Sequence, residues 1–434
     1  MAGRQANKSK RQQRFTLLRA RLFCLPAPAS VLLRFMKSAS DTAVESAAPA
    51  SGLSPFLTYF IATACAVVVA NLYYCQPLLG RFAGYFGVSE AAASWVNICS
   101  QLGYGLGLFF IVPLGDRMVR RTLLVRMILI SGLALAGAAL APNIQTLYFF
   151  SLGIGAASTA CQIFVPLAAH LASEQDRGWV IGTVMGGLLS GILLSRTLSG
   201  LVADHLGWRS MYWIGAGLMV VVSFLVYRFI PTDRPGFQGS YGALIRSLFG
   251  LLRSEKVARQ SSWIGACLFG AISVFWSTLA FFLEKPPFSY SLTTIGLFGI
   301  AGMAGAIVSP QAGRLTDRRG YDLPTRWGLV LMLLGYLVLF PSQQSILLLI
   351  AGIILIDIGL QMAHIPNLSR MSSLAPEART RFNTIYMTSF FIGGTAGSLI
   401  GSYAWNGYGW NGVCVAGFVF VVLGGLPTLL RRRI

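Results

Sequence analysis

Asp357, Gln361 and His364 stand i, i+4, i+7 apart inside one apolar run, residues 345–364. At helical periodicity they share one face. A carboxylate at bilayer depth costs about 2.5–3.5 kcal/mol on insertion scales, so its presence calls for a reason. Two readings stand open. In one, Asp357 takes up and releases a proton, and Gln361 and His364 complete a polar track. In the other, Asp357 is a neutral, hydrogen-bonded structural acid. Other apolar runs carry polar groups suited to holding a small molecule. Asn71 and Tyr74 lie close on one face of the first, Ser158 and Gln162 one turn apart in the fourth, and Ser273, Trp276 and Ser277 in the seventh. Together they supply hydrogen bonds, aromatic rings and little charge, which suits a neutral or mildly cationic organic molecule better than a phosphate. Singly, each also reads as helix packing. Arg196, toward the outer end of the fifth run, either snorkels to the interface or makes an internal ion pair or anion contact. Asp204 and Glu284 are the outer-end candidates for pairing.

Such residues need apolar spans to hold them, and the composition supplies these. Of 434 residues, 55% are hydrophobic and 11% charged, against roughly 25% charged in soluble domains. The mean hydropathy is +0.66. This is a chain solvated by lipid, and its 48 glycines let membrane helices approach closely. The expected fold class is all-α, with twelve spans at 55–77, 93–114, 122–141, 145–170, 179–201, 210–229, 262–283, 292–312, 324–341, 345–364, 384–404 and 410–430. Each can cross roughly 30 Å of hydrocarbon at 1.5 Å per residue. Helices are the expected spanning form, since no period-2 barrel pattern appears.

The net charge of +20 does not point to nucleic acid, because the basic residues lie in short segments between the apolar runs. With the N-terminus inside, the inner connections hold Arg117, Arg120, Arg121, Arg177, Arg234, Arg318, Arg379, Arg381 and Arg431–Arg433 among others. The outer connections hold only Arg81, Arg209 and Lys285. That asymmetry places both termini in the cytoplasm of a plasma-membrane protein.

Residues 1–51 are basic, with no acid before Asp41, and read as a disordered extension or a targeting segment. Alternatively translation starts at Met36, which N-terminal mass spectrometry of the native protein finding Met1 or Ala2 would rule out. Residues 52–230 and 261–434 form two expected six-helix bundles. The linker 231–260 between them carries an amphipathic stretch, Tyr241–Val257, suited to the inner leaflet or to an ordinary protein surface.

Three landmarks recur at a constant offset. Asp116-Arg117 returns as Asp317-Arg318, Arg177 as Arg379, and Gly207-Trp208 as Gly409-Trp410, each about 201–202 residues on. The same offset maps Gln162 onto His364. Two homologous halves with an even helix number are parallel repeats, and a site between them opens to either side by rocking.

The loop after the eighth run resembles the Major Facilitator Superfamily pattern G-x-L-x-D-R-x-G-R-R through Gly313, Leu315, Asp317, Arg318 and Gly320. The loop after the second run matches it through Leu114, Asp116, Arg117, Arg120 and Arg121, with Val112 and Val119 in place of glycines. The resemblance covers nearly all of 55–431. It implies a conformational latch built from these residues with Arg177 and Arg379, and a central cavity lined by helices one, four, seven and ten. Asn71-Leu-Tyr-Tyr-Cys-Gln-Pro and the segment from Asp357 to Asn383 look like a bacterial subgroup often assigned to efflux of drugs or metabolites. The fifth run departs from the efflux motif G-x-x-x-G-P, since Ile192 follows Gly187 and Gly191.

No Gly-rich lysine loop, HExxH or GxSxG is present. His170, His205 and His364 are scattered, and most of the seven cysteines sit inside apolar runs as packing residues. Neither enzyme activity, cofactor nor metal is expected. The expected activity is proton-coupled export of a small organic compound by a monomer, partnered by substrate, protons and the lipid bilayer. An importer or facilitator is the runner-up, and a non-transporting receptor or scaffold the reading of another class.

Overall fold

Polar side chains mark where helices begin. Ser54, Ser89, Asn143, Ser240 and Ser291 each accept a hydrogen bond from a backbone N–H three residues on, which satisfies a donor the helix leaves free. The computed structural model describes residues 53–173, 175–232, 240–374 and 378–429. The N-terminal extension with Met36, Arg234 and Arg431–Arg433 lie outside the described residues.

The helices are α1 (Pro55–Ala70), α2 (Leu79–Phe86), α3 (Glu90–Phe110), α4 (Arg120–Ala139), α5 (Ile144–Ser158), α6 (Cys161–Leu171), α7 (Arg177–Leu206) and α8 (Trp208–Phe229). They continue as α9 (Tyr241–Ser254), α10 (Lys256–Trp276), α11 (Leu279–Glu284), α12 (Leu292–Ala301), α13 (Met303–Arg319), α14 (Asp322–Leu339), α15 (Ile346–Ser372) and α16 (Arg379–Leu429). Among the described residues 10 helical segments are long and apolar enough to cross a membrane. The first apolar helix, α1, has only 16 residues. The 51-residue α16 turns at Gly409 (φ 59°), so it is two helices joined end to end.

Several expected spans are interrupted. The first breaks after Ala70, ahead of Pro77, which has no N–H to give. The fourth breaks at Thr159–Ala160, the seventh at Ser277–Thr278 and the eighth at Gly302. At two breaks a threonine hydroxyl donates to a nearby backbone carbonyl: Thr159 to Ala156 O (2.7 Å) and Thr278 to Val274 O (2.9 Å). Side chains thereby satisfy backbone groups that lipid cannot.

Within the chain's first part α1 packs on α7, α3 on α5 and α4 on α8. In the second, α10 packs on α16 and α15 on α13 and α14. The principal contacts joining these groups are α3 with α16 and α7 with α12. The two Gly-Trp pairs form similar turns. Gly207 and Gly409 both take positive φ. The following Trp208 meets Phe82 edge-on at 5.2 Å, and Trp410 stacks on Phe282 at 3.8 Å.

Close approach depends on glycine. A Cβ on Gly397 would sit 2.1 Å from Gly270 O, across the α10–α16 seam. Gly397→Ala is expected to cost about 1–3 kcal/mol by overpacking, read as a lower melting temperature in detergent. An unchanged melting temperature would mean the seam can separate freely.

The stretch read as amphipathic forms α9, which buries Leu244 and Leu248. Its Tyr241 hydroxyl donates to Phe110 O at 2.6 Å, so its apolar side covers protein.

A candidate substrate pathway and its closed end

The two ends of the helix array differ. One carries Arg177, Arg318, Arg379 and Arg381; the other carries Arg81, Glu90, Asp204 and Glu284. At the arginine-poor end the contacts between the two groups are dense. A Cβ on Gly200 would stand 2.2 Å from Leu292 O, and one on Gly296 2.7 Å from Arg196 O. Toward the arginine-rich end, Gly182 and Gly186 of α7 and Gly313 of α13 face open space. The α7 contact with α12 and α13 is therefore shut at one end and splayed at the other.

Arg196 lies on the shut side and does not reach solvent; it is 7% exposed. Its guanidinium lies 4.1 Å from the Trp276 ring and 5.1 Å from Tyr73, and its Nε donates to Gln76 Oε1 at 2.7 Å. Such a cage suits the planar, weakly hydrated guanidinium. Snorkelling, one of the two sequence readings, is thereby replaced by an internal cation–π site.

From Gln76 a polar chain crosses between the groups. Gln76 donates to Asn97 Oδ1 (3.5 Å), and Asn97 to Ser398 Oγ (3.0 Å). Gln101 also donates to Ser398 Oγ (2.9 Å), and Ser273 donates to Gln101 Oε1 (3.3 Å). Asn97, Gln101 and Ser398 were not among the sequence candidates. Their signal was available: polar side chains in otherwise apolar runs, which in a membrane must find partners. Further out, Glu90 pairs with Lys285 (2.9 Å) and accepts from Trp405 Nε1 (2.6 Å). Asp204 accepts from the backbone N–H (2.7 Å) and hydroxyl (2.6 Å) of Thr293, at the start of α12.

Asp357 sits where α15 meets α13: a Cβ on Gly305 would lie 2.6 Å from its backbone oxygen and 3.2 Å from Gln361 Cγ. Its Oδ2 is buried with no hydrogen-bond partner. The field of Arg196 acts on it from α7, without a direct ion pair. His364 turns toward α16. Its Nδ1 is 3.0 Å from the Tyr386 hydroxyl, and its ring lies 4.7 Å from Phe390. The three residues share a face of α15 but have different neighbours.

The cavity candidates divide. Ser273, Trp276 and Arg196 come together at the shut end, as described. Gln162 donates to the Tyr104 hydroxyl at 2.9 Å, and the Tyr104 ring lies 4.1 Å from Phe391 of the other group. Asn71 and Tyr74 face α4 and α8 instead. Asn71 Nδ2 meets Ser131 Oγ (3.4 Å) and Met219 Sδ (3.1 Å), and a Cβ on Gly215 would lie 3.2 Å from the Tyr74 ring. Tyr73, one position away, takes the place facing Arg196. Ser277, just past the end of α10, donates back to Val274 O of that helix at 3.4 Å. Ser158 is buried with its hydroxyl unpartnered.

At the arginine-rich end Asp116 lies 3.8 Å from Arg120 and within the field of Arg381 from α16. Arg121 turns to Ile230 O (3.4 Å) and the Tyr227 ring (5.3 Å). Arg379 donates to Ser372 O. Gly320 ends α13 with φ 75°, whereas Val119 at the matching position has φ −57° and ψ 114°. The first loop enters its turn through the 3-10 stretch Val112–Asp116, and the negative φ of Val119 makes no demand for glycine there. Arg117, Arg177, Asp317 and Arg318 lie at this end by topology. Among the described residues no His, Cys, Asp and Glu group is arranged to hold a metal.

The Major Facilitator Superfamily model matches residues 50–398. The transporter YgaY of Escherichia coli K12 is 42% identical over 372 residues, spanning 85% of this chain and 94% of the relative. The Streptomyces coelicolor transporter SCO4007 is 31% identical over 386 residues, 88% of this chain and 89% of its own. A solved bacterial homolog of the human lysosomal transporter Spinster, in an inward-facing and occupied conformation, superposes with TM-score 0.69 at 13% identity, over 87% of this chain and 96% of that one. With the helical array, its two contact groups and these matches, the chain belongs to the Major Facilitator Superfamily: it is a multi-pass membrane transporter and not an enzyme.

Proposed function

We propose that the protein is a proton-coupled secondary transporter that exports a small organic compound by alternating access. The observation that carries this reading is the Asp357 carboxyl, with one oxygen buried and unpartnered in an apolar span and the charge of Arg196 nearby. A group so placed is costly to keep charged without a partner, and accepting a proton relieves that cost. Counting α1 and both parts of α16, twelve spans form two six-helix halves in a bacterial plasma membrane. The charge asymmetry favours a cytoplasmic arginine-rich end. The splayed end then faces the cytoplasm, and Asn97, Gln101, Ser398 and the Arg196 cage form the outer closure. Asp116, Arg117, Arg120, Arg121, Arg177, Gly313, Asp317, Arg318, Gly320 and Arg379 form the opposite latch, which engages when the inner end shuts.

The substrate reading is a neutral or mildly cationic molecule. Gln162, Tyr104, His364 and Phe390 supply hydrogen bonds and rings with no fixed charge among them. Proteoliposomes loaded with a pH-sensitive dye test the reading against nucleosides, sugars, amino acids, amines and antibiotics. Addition of a substrate is expected to move protons opposite to it. Counterflow without any proton movement would reduce the protein to a facilitator, and absence of counterflow across the panel would favour a receptor.

A further inference from the structure

Glu284, the last residue of α11, projects across the shut end onto α2. A Cβ built on Gly80 would stand 1.7 Å from its Oε2, so the carboxyl occupies the notch that this glycine leaves. Its Oε1 is buried with no hydrogen-bond partner. The notch borders an outward cleft of about 580 Å³, lined in part by Arg81 and Tyr85 of α2, Asp204 of α7 and Tyr290. The neighbouring charges have partners of their own. Glu90 is engaged by Lys285 and Trp405, and Asp204 by Thr293. Arg81 acts on both Glu284 and Asp204 from the cleft without a direct ion pair to either. A carboxyl held in this way between two moving bodies loses water on one oxygen each time they close and gains no donor in return.

We infer that Glu284 takes up a proton when the outer end closes and releases it when that end opens, so that outer closure is itself proton-linked. The inference rests on alternating access as proposed above, but not on Asp357 being the coupling group. The closed state binds one proton more than the open state. Rising pH therefore favours opening, and the closed-to-open ratio falls by up to about tenfold per pH unit once Glu284 titrates.

The test is a distance measurement between spin labels on Gly84→Cys and Gly407→Cys, one on each side of the outer end, in otherwise cysteine-free full-length protein. Both glycines face open space. Recordings at pH 5 to 9 and fixed sodium are expected to show the short-distance population shrinking with pH. Glu284→Gln keeps the shape without the titration and is expected to stay short throughout. Gly80→Ala keeps Glu284 but fills its notch and expels the carboxyl, and is also expected to flatten the response. Asp357→Asn is expected to keep the slope. A flat wild type, a slope that survives Glu284→Gln, a slope lost only in Asp357→Asn, or a population that follows sodium at fixed pH would overturn the inference. Failure of the Asp357 reading shows up separately, as uphill transport retained in Asp357→Asn.

Discussion

Asp357→Asn is expected to abolish uphill transport while leaving substrate exchange partly intact. One pH unit corresponds to about 1.4 kcal/mol per proton. A transporter coupled to one proton therefore sustains about tenfold accumulation across a one-unit gradient and about a hundredfold across two. Asparagine keeps the shape of the acid and its polar contacts but exchanges no proton, so the expected accumulation ratio in the variant is about 1. Exchange requires the halves to rock with substrate bound and needs no proton release. The structure supports this separation because Asp357 Oδ2 holds no hydrogen bond that the substitution would break. Parallel measurements of driven uptake and counterflow in proteoliposomes check both halves of the statement. Accumulation equal to wild type would reject the role of Asp357, and loss of both activities would point to a structural acid.

The spans were legible because lipid enforces a simple rule: every backbone group must be satisfied within the segment, so a spanning stretch is a long apolar helix. The interruptions at Asn71, Thr159, Ser277 and Gly302 were less so, since mean hydropathy continues across them and the reason for each lies in a neighbouring helix. The paired turns at Gly207 and Gly409 were readable because positive φ is a local demand that favours glycine. Side-chain direction was only half readable. Asn71 and Tyr74 share a face of the first span, but which helix that face meets depends on packing, and it meets α4 and α8. The polar chain through Asn97, Gln101 and Ser398 joins residues 297 and 301 positions apart. Polarity alone marks such residues as needing partners without saying which. Arg196 was visible as a charge in an apolar run, either snorkelling or internal, while its cage draws Tyr73 from the turn after α1 and Trp276 from the end of α10.

That cage makes Arg196 the second site of large expected effect. Arg196→Gln is expected to lower transport by about tenfold or more, and Arg196→Lys nearly as far. Lysine keeps the charge but lacks the planar surface that lies over Trp276 at 4.1 Å, and it cannot reproduce the Nε bond to Gln76. The charge also has a distant partner in Asp357. Removing one member of a buried charge set leaves the other uncompensated, whereas removing both relieves that cost. The double variant Arg196→Gln with Asp357→Asn is therefore expected to be more stable than the sum of the single effects allows, by more than the ~0.5 kcal/mol within which independent sites add. Exchange, which does not use the proton, is expected to recover partly in the double variant, while uphill transport stays absent. Melting temperature and counterflow across the four-member cycle measure the two quantities. Strict additivity in both would show that Arg196 serves the closure through Trp276 and Gln76 alone, with no electrostatic bearing on the acid across the interface.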